Sequence, residues 1–326
     1  MLRSVLRNNT YLFAGILAAI LLVANIIELP AFVAVRNWDE NLIAFAPFAI
    51  LAIASTPSVL TGQGGLDLSI APVANLVNVV LVVEILPSHT FGKAWIAIPL
   101  VLALSTGVGL FNGFLVGVLR YQPGIATLGV LLVLLGVNLK IAPQPATAFV
   151  PWVTKLHGDL GPVPWGLILI LIPLAAWSAL RFTPFRRTLY FVGGSPATAF
   201  SAGVNVTRVR LVAYAIGGLF AGIGGLALTA LLDTGDPNLG LQYALIALAA
   251  VALGGTTIGI GGRGGVLGSL LGAATIFLLE NLLIVSHVSN LWLQVAYGAM
   301  LAVGVVLGSR LIAPPRARAN PRARTA

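Results

Sequence analysis

Three carboxylates of this 326-residue chain lie inside or beside long apolar stretches: Asp67, Glu84 and Glu280. A charge in hydrocarbon is costly, so each is a candidate for function unless a structural partner accounts for it. Asp67 sits in a polar, glycine-rich break, GQGGLDLS over 62–69, with Gly64, Gly65 and Ser69. Its carboxylate is expected to cap exposed backbone amides at the start of the next helix, a structural role weighed against contact with a solute. Glu84 falls near a span end, where it can reach water. Glu280 and Asn281 either line a path or form a helix-to-helix hydrogen bond. Asn75, Asn78, Asn112, Thr127, Asn138 and Gln294 are uncharged hydrogen-bonding groups within apolar segments. Such groups suit a neutral polyhydroxylated solute, so Asn75, Asn78, Asn112, Thr127, Glu280, Asn281 and Gln294 are candidates for a translocation path. No chain of carboxylates for coupled protons is present, which weighs against a proton-driven carrier.

Catalysis finds little support. The three histidines, His89, His157 and His287, fall in loops with no acid, base or nucleophile grouped around them. The Gly92-Lys93 pair lacks the upstream glycine of a phosphate-binding loop, so the chain is not expected to hydrolyse ATP. The string GIGGRG over 259–264 has dinucleotide-binding spacing, but it joins two apolar spans rather than a strand and a helix, and reads as a tight turn. Cysteine is absent, which removes thiolate metal sites and catalytic thiols. No catalytic residue, metal or cofactor is expected.

The elements that must position the polar groups are membrane spans. Hydrophobic residues make up 58% of the chain and charged residues 8%, too few to cover a water-soluble globule. Polar and Pro/Gly breaks divide it into ten apolar segments, at about 11–29, 42–60, 69–86, 94–119, 124–142, 165–182, 211–231, 242–258, 266–285 and 292–311. Merging two weaker segments leaves eight. The fold expected is an all-α, polytopic transmembrane bundle. The first segment follows Arg3 and Arg7 but is too long for a signal peptide and lacks a cleavage site, so it reads as an anchor. The net charge of +9 does not point to nucleic acid, because the basic residues are scattered over segment ends. With the N-terminus inside, fourteen of the 18 cations are cytoplasmic: Arg3, Arg7, Arg120, Arg181, Arg186, Arg187, Arg208, Arg210, Arg263, Arg310, Arg316, Arg318, Arg322 and Arg324. Arg36, Lys93, Lys140 and Lys155 fall outside, among Asp39, Glu40, Asp159, Asp233 and Asp236. The positive-inside rule then places both termini in the cytoplasm.

The transmembrane domain covers 1–313, with an outer loop at about 143–164 and an inner one at about 183–210. The outer loop, rich in proline with Phe149, Trp152 and Trp165, reads as a stiff interfacial lid. In the inner loop, Ser195 as N-cap, Pro196 at the first position and Gly203 as stop predict a two-turn helix. It reads either as a surface turn or as an element presented to a cytoplasmic partner. The tail 314–326 is basic and Pro/Ala-rich, with a disordered composition. Gly109, Gly113 and Gly117, Gly218 and Gly222, and Gly264, Gly268 and Gly272 repeat every fourth residue, which implies close helix packing.

Four stretches together resemble the ribose-type membrane permeases of ABC importers: TGQGGLDLSI over 61–70; Asn112-Gly-Phe-Leu-Val with QPGIATLG over 122–129; Gly193-Gly-Ser-Pro-Ala to Ser201-Ala-Gly-Val-Asn205; and 249–268, with LGGTT and GGRGGVLG. The resemblance covers most of the chain. It implies import of a monosaccharide across the bacterial inner membrane, a cytoplasmic ATPase that binds the ATP, a periplasmic sugar-binding protein and a second permease subunit. It also implies an ATPase-coupling role for Gly193, Gly194, Ser195, Pro196, Ala199, Gly203 and Asn205. The chain departs from the pattern at GGLDLSIA with Pro72, and at Leu241–Leu245, where an acidic pair is usual; both departures suit one half of a heterodimeric permease pair, with a homodimer as the alternative. Related permeases serve nucleosides or branched-chain amino acids, which keeps those solutes open. An ATPase-independent carrier or channel, and a membrane scaffold, are the readings from other classes.

Overall fold

The computed structural model describes residues 11–148, 150–256 and 261–312. Arg3, Arg7, Phe149, Gly259 and the tail 314–326 lie outside the described residues, as does the Arg310 side chain. Backbone groups in hydrocarbon must be paired within their own segment, and the chain accordingly folds into helices. In order these are α1 (Leu12–Glu28), α2 (Trp38–Leu60), α3 (Ile70–Val80, continued by a π-helical turn Leu81–Ile85), α4 (Ala94–Gly117), α5 (Pro123–Ile141), the short α6 (Pro151–Lys155), α7 (Trp165–Ala179), α8 (Pro184–Gly194), α9 (Pro196–Ser201), α10 (Val206–Leu232), α11 (Leu239–Leu253), α12 (Val266–Val285) and α13 (Asn290–Ile312).

Every apolar segment read from the sequence is a helix, but by length they divide. Six are long and apolar enough to cross a membrane, at Val35–Leu60, Ala94–Gly117, Pro123–Ile141, Trp165–Phe182, Val206–Leu232 and Val266–Val285. Leu12–Glu28, Ile70–Ile85, Leu239–Leu253 and Leu291–Val306 are shorter. Ile70–Ile85 reaches only about 24 Å at 1.5 Å per residue, against a hydrocarbon core of about 30 Å. Helices α3 and α11 are buried along most of their length, so protein, not lipid, surrounds them and the irregular backbone at their ends. The expectation of an all-α chain needs a small correction. Two-residue strands β1 (Ala146–Thr147) and β4 (Thr234–Gly235) pair antiparallel, as do β2 (Asp159–Leu160) and β3 (Val163–Pro164). The first pair pins the outer loop to the turn after α10, and the second is a hairpin within that loop.

The bundle has two ends. At one, the connections 61–69, 118–122 and 183–205 and residues 254–256 and 261–265 come together; at the other lie 29–37, 86–93, 142–148, 150–164, 233–238 and 286–289. Helices α2 and α10 run oppositely through the centre and pack on each other. Around them the contacts repeat. Helix α2 packs on α12 as α10 packs on α4; α2 on α11 as α10 on α3; α3 on α4 and α5 as α11 on α12 and α13. This is an inverted repeat of α2–α5 and α10–α13. The outermost helices break it, since α1 lies on α12 and α7 on α2. The repeat extends to turn chemistry. Asp67 Oδ1 accepts the Ser69 backbone N–H at 3.0 Å just before α3, and Asp236 Oδ1 accepts that of Asn238 at 2.9 Å just before α11.

Glycine rows set the closest crossings. A Cβ at Gly109 would lie 2.9 Å from the Gly218 Cα, and one at Gly113 the same distance from the Leu211 Cα, so α4 and α10 touch backbone to backbone. Gly268 and Gly272 do the same for α12 against Gly254 and Ala250. Gly264, expected in that row, instead has φ +99 in the turn before α12 and meets Thr256. Hydrogen bonds supplement this packing: Asn25 Nδ2 donates to Leu278 O at 2.9 Å, Thr275 Oγ1 to Ala14 O at 3.1 Å, and Thr56 Oγ1 lies 2.8 Å from Ser269 Oγ.

Gly218→Leu is expected to destabilise the bundle by at least about 1–3 kcal/mol, because backbone cannot retreat from the new side chain. Thermal unfolding in detergent checks this against Gly129→Leu on α5, where a Cβ meets nothing within 4 Å and no comparable loss is expected.

Candidate functional site

The site is built where α8, α9 and the start of α10 cross the end of the bundle. Helix α8, not foreseen from the sequence, begins with Pro184 at its first position and buries Leu189, Val192 and Gly193 while leaving Arg187 and Phe191 outside. Its weak signal was amphipathic spacing within a segment of near-neutral mean hydropathy. Ser195 ends it in extended backbone (φ −159, ψ 97) and begins α9, accepting the Thr198 N–H on its hydroxyl at 3.3 Å. The helix expected over 196–203 therefore runs Pro196–Ser201, with Pro196 at its first position. Ala199 is buried and Phe200 projects, 73% exposed. Gly203, at φ +80, provides the left-handed residue that lets Val204 N–H reach back to Ala199 O at 3.0 Å. Asn205 Oδ1 then accepts the Arg208 N–H at 2.9 Å and starts α10.

Four glycines lock this unit to the bundle. A Cβ at Gly193 would strike Leu60 O and come within 2.5 Å of Gly262 N; one at Gly62 would lie 2.5 Å from Gly193 O; one at Gly261 would strike the Gly62 Cα; one at Gly262 would lie 2.6 Å from Gly194 N. Gly262 N–H also donates to Leu60 O at 3.2 Å. The connections 61–69 and 183–205 and residues 261–262 thus meet with no side chain between them. Gly62, Gly261 and Gly262 have positive φ of 79, 60 and 62°, which glycine alone adopts without strain. Gly194 points away, with nothing near its would-be Cβ. The sequence signalled the three glycine-rich stretches separately, but not their meeting.

Beside the junction lies a cleft of about 970 Å³ lined by Gln63, Arg120, Pro196, Phe200, Asn205 and Arg210, among others. Arg210 Nη2 donates to Gln63 Oε1 at 2.5 Å, tying the first turn of α10 to the break before α3. Behind Gln63, Asp67 is buried. It accepts from the Ser69 N–H and, at 2.7 Å, from Ser69 Oγ, which in turn accepts from Asn112 Nδ2 at 2.6 Å. Burial pushes the Asp67 pKa up to about 6 against the opposing pull of these hydrogen bonds. The carboxylate satisfies the amide of Ser69, the residue before α3, and not those of the first turn. Thr127 Oγ1 accepts the Leu68 N–H at 3.2 Å and so closes the same break from α5. Gly64, at φ +72, and Gly65, whose Cβ would strike Ser58 O, give the break its tight course.

The remaining path candidates do not converge on one cavity. Asn75 Nδ2 donates to Pro237 O at 2.8 Å; Asn78 Nδ2 donates to Thr234 O at 2.8 Å, and its Oδ1 accepts the Asp236 N–H at 3.2 Å. Both fasten the turn between α10 and α11 at the far end. Asn138 Nδ2 donates to Pro72 O at 3.4 Å. Glu280 Oε2 accepts from Tyr297 OH at 2.5 Å, the helix-to-helix bond that the sequence left open. Asn281 is half-buried, Gln294 is exposed on the outer face of α13, and Glu84 is exposed at the end of α3. Among the described residues no group of three or more His, Cys, Asp and Glu side chains is placed to hold a metal.

Comparison with known proteins agrees with this architecture. The family model described as branched-chain amino acid transport system, permease component, matches residues 37–305. The ribose import permease protein of Haemophilus influenzae is 30% identical over 95% of both chains. That of Bacillus subtilis is 32% identical over 90% of this chain and 91% of its own. The galactose/methyl galactoside import permease protein of Escherichia coli is 27% identical over 92% and 95%. No solved structure matches. The chain is a polytopic helical membrane protein and belongs to the family of transport-system permease components that this model describes.

Proposed function

We propose that this chain is the membrane-spanning permease subunit of a bacterial ABC importer for a monosaccharide. The observation that carries the reading is the α8–α9 unit, capped by Ser195 and Asn205 at either side of α9 and locked by glycine contacts to two further breaks of the bundle. A cytoplasmic ATPase binds and hydrolyses the ATP and presses on α9 through Phe200 and its neighbours. The glycine junction passes that displacement to α2, α3 and α12, rocking one repeat against the other. Gly193, Gly194, Ser195, Pro196, Ala199, Gly203 and Asn205 form the coupling unit. A periplasmic binding protein delivers the solute at the far end. A second permease, the same chain or a homologue, completes the path, with the outward-facing Gln294 on α13 a candidate lining group.

Ten helices span the inner membrane with both termini in the cytoplasm, in one domain over 1–313 followed by the basic tail 314–326. Charge supports this orientation. Among the described residues the coupling end carries Arg120, Arg181, Arg186, Arg187, Arg208, Arg210 and Arg263 with Asp67 as its carboxylate, while the far end mixes four cations with most of the acids. The names of the most similar relatives favour a sugar. A branched-chain amino acid, named in the family description, is the second reading; its charged ends need fixed counter-charges or helix termini in the path, and Asp67 and Glu280 are both engaged internally.

The chain has no cysteine, so single cysteines report its sidedness. Ala197→Cys on α9 is expected to react with a membrane-impermeant maleimide only after the cytoplasm is opened, and Asp159→Cys in intact spheroplasts; the opposite pattern reverses the topology. A deletion strain is expected to lose uptake of ribose or galactose and keep uptake of leucine, measured with radiolabelled solutes. Loss of leucine uptake alone selects the second reading. In complexes with the ATPase, Gly203→Val is expected to cut uptake about tenfold, equivalent to about 1.4 kcal/mol of coupling, while ATP hydrolysis continues. Unchanged uptake removes α9 as the coupling element.

A further inference from the structure

On another flank of the same end, a cavity of about 440 Å³ opens between α7, α8 and the start of α12, away from the cleft beside α9. Two arginines line it. Arg186 lies over the Trp177 ring at 5.7 Å and the Tyr190 ring at 6.0 Å, and Arg181 lies 4.6 Å over Phe182. Tyr190 OH donates to Gly264 O at 3.1 Å, fixing the aromatic wall to the turn before α12. Neither guanidinium has a carboxylate partner among the described residues, and the carboxylate at this end, Asp67, is committed elsewhere. Val266 begins α12, a helix of 20 residues with no side-chain cap, and its positive end lines the same cavity. Two cations held in place by stacking, without an anion, mark a preorganised anion site.

The surroundings identify the anion's carrier. Outer helices α1 and α7 flank the cavity, and their exposed faces are apolar, including Ile16, Ile20, Leu171 and Ile172. We infer that this cavity binds the phosphate headgroup of an anionic phospholipid, whose acyl chains lie along the exposed apolar faces of α1 and α7. Basic pockets between helices at a membrane surface suit such lipids. The site requires this end to lie at a membrane surface and is independent of the solute carried.

The test uses the full chain in its complex with the ATPase, purified in mild detergent and titrated with phosphatidylglycerol or phosphatidylcholine while bound lipid is counted by native mass spectrometry. Phosphatidylglycerol is expected to bind in preference to phosphatidylcholine. The double variant Arg181→Gln, Arg186→Gln is expected to weaken phosphatidylglycerol binding roughly 10- to 30-fold, at about 1 kcal/mol per cation removed, and to leave phosphatidylcholine binding unchanged. Arg187→Gln, on α8 but outside the cavity, is expected to change nothing. The double lysine variant is expected to retain most of the binding, which separates loss of charge from misfolding. Equal phosphatidylglycerol affinity in wild type and the glutamine variant overturns the inference. So does displacement of the lipid by millimolar inorganic phosphate, which assigns the site to a free anion, or loss of the ATPase from the glutamine variant with lipid binding intact, which assigns the arginines to the subunit interface.

Discussion

The architecture depends on backbone meeting backbone at Gly62, Gly193, Gly261 and Gly262. Three connections that are far apart in sequence share one point because no side chain stands between them. A single methyl at Gly193 would strike Leu60 O and crowd Gly262 N. Packed interiors do not yield smoothly to such an intrusion, so contact at this distance behaves as a rigid joint. A rigid joint suits an element that has to transmit movement rather than absorb it. The short α9 needs the same support for its existence, since two turns of helix have no stability of their own in water. Ser195 and Gly203 close its ends, Asn205 starts α10 directly after it, and buried Ala199 fixes its face.

Beyond the joint, the inverted repeat explains how one end can drive the whole bundle. Helices α2 and α10 run oppositely and pack together, and each leads through an aspartate-closed turn into a short buried helix. Movement passed to the break before α3 therefore reaches the pair of central helices directly. The buried amides of Asn75, Asn78 and Asn112 keep both turns closed. In low dielectric an unpaired amide is expensive, so these residues specify the turn geometry as much as they stabilise it.

Much of this was legible in the sequence, for identifiable reasons. Long apolar runs that pair their backbone within the segment form helices, and each of the ten segments contains one among the described residues. The start of α9 follows Pro196, whose fixed φ suits a first helical position. The four-residue glycine rows on α4 and α10 are where those helices touch. What was not legible is partnership. Asn75 and Asn78 read as groups available to a solute, because sequence shows polarity and not the carbonyls about 160 residues away to which their amide nitrogens donate. Helix α8 was missed because its arginines and apolar residues average to neutrality. The inverted repeat was invisible because it is a pattern of contacts, carried by residues that differ between the halves.

The most direct measurement compares Gly193→Ala with Gly194→Ala in complexes reconstituted with the ATPase, following ATP-dependent solute uptake into proteoliposomes. The two glycines are adjacent in sequence, yet only the first faces the joint. Gly193→Ala is expected to lower the thermal stability of the complex and lose most of its uptake, and Gly194→Ala to assemble and transport as the unaltered protein does. Equal uptake by the two variants would show that the glycine joint does not carry the coupling and would contradict the account.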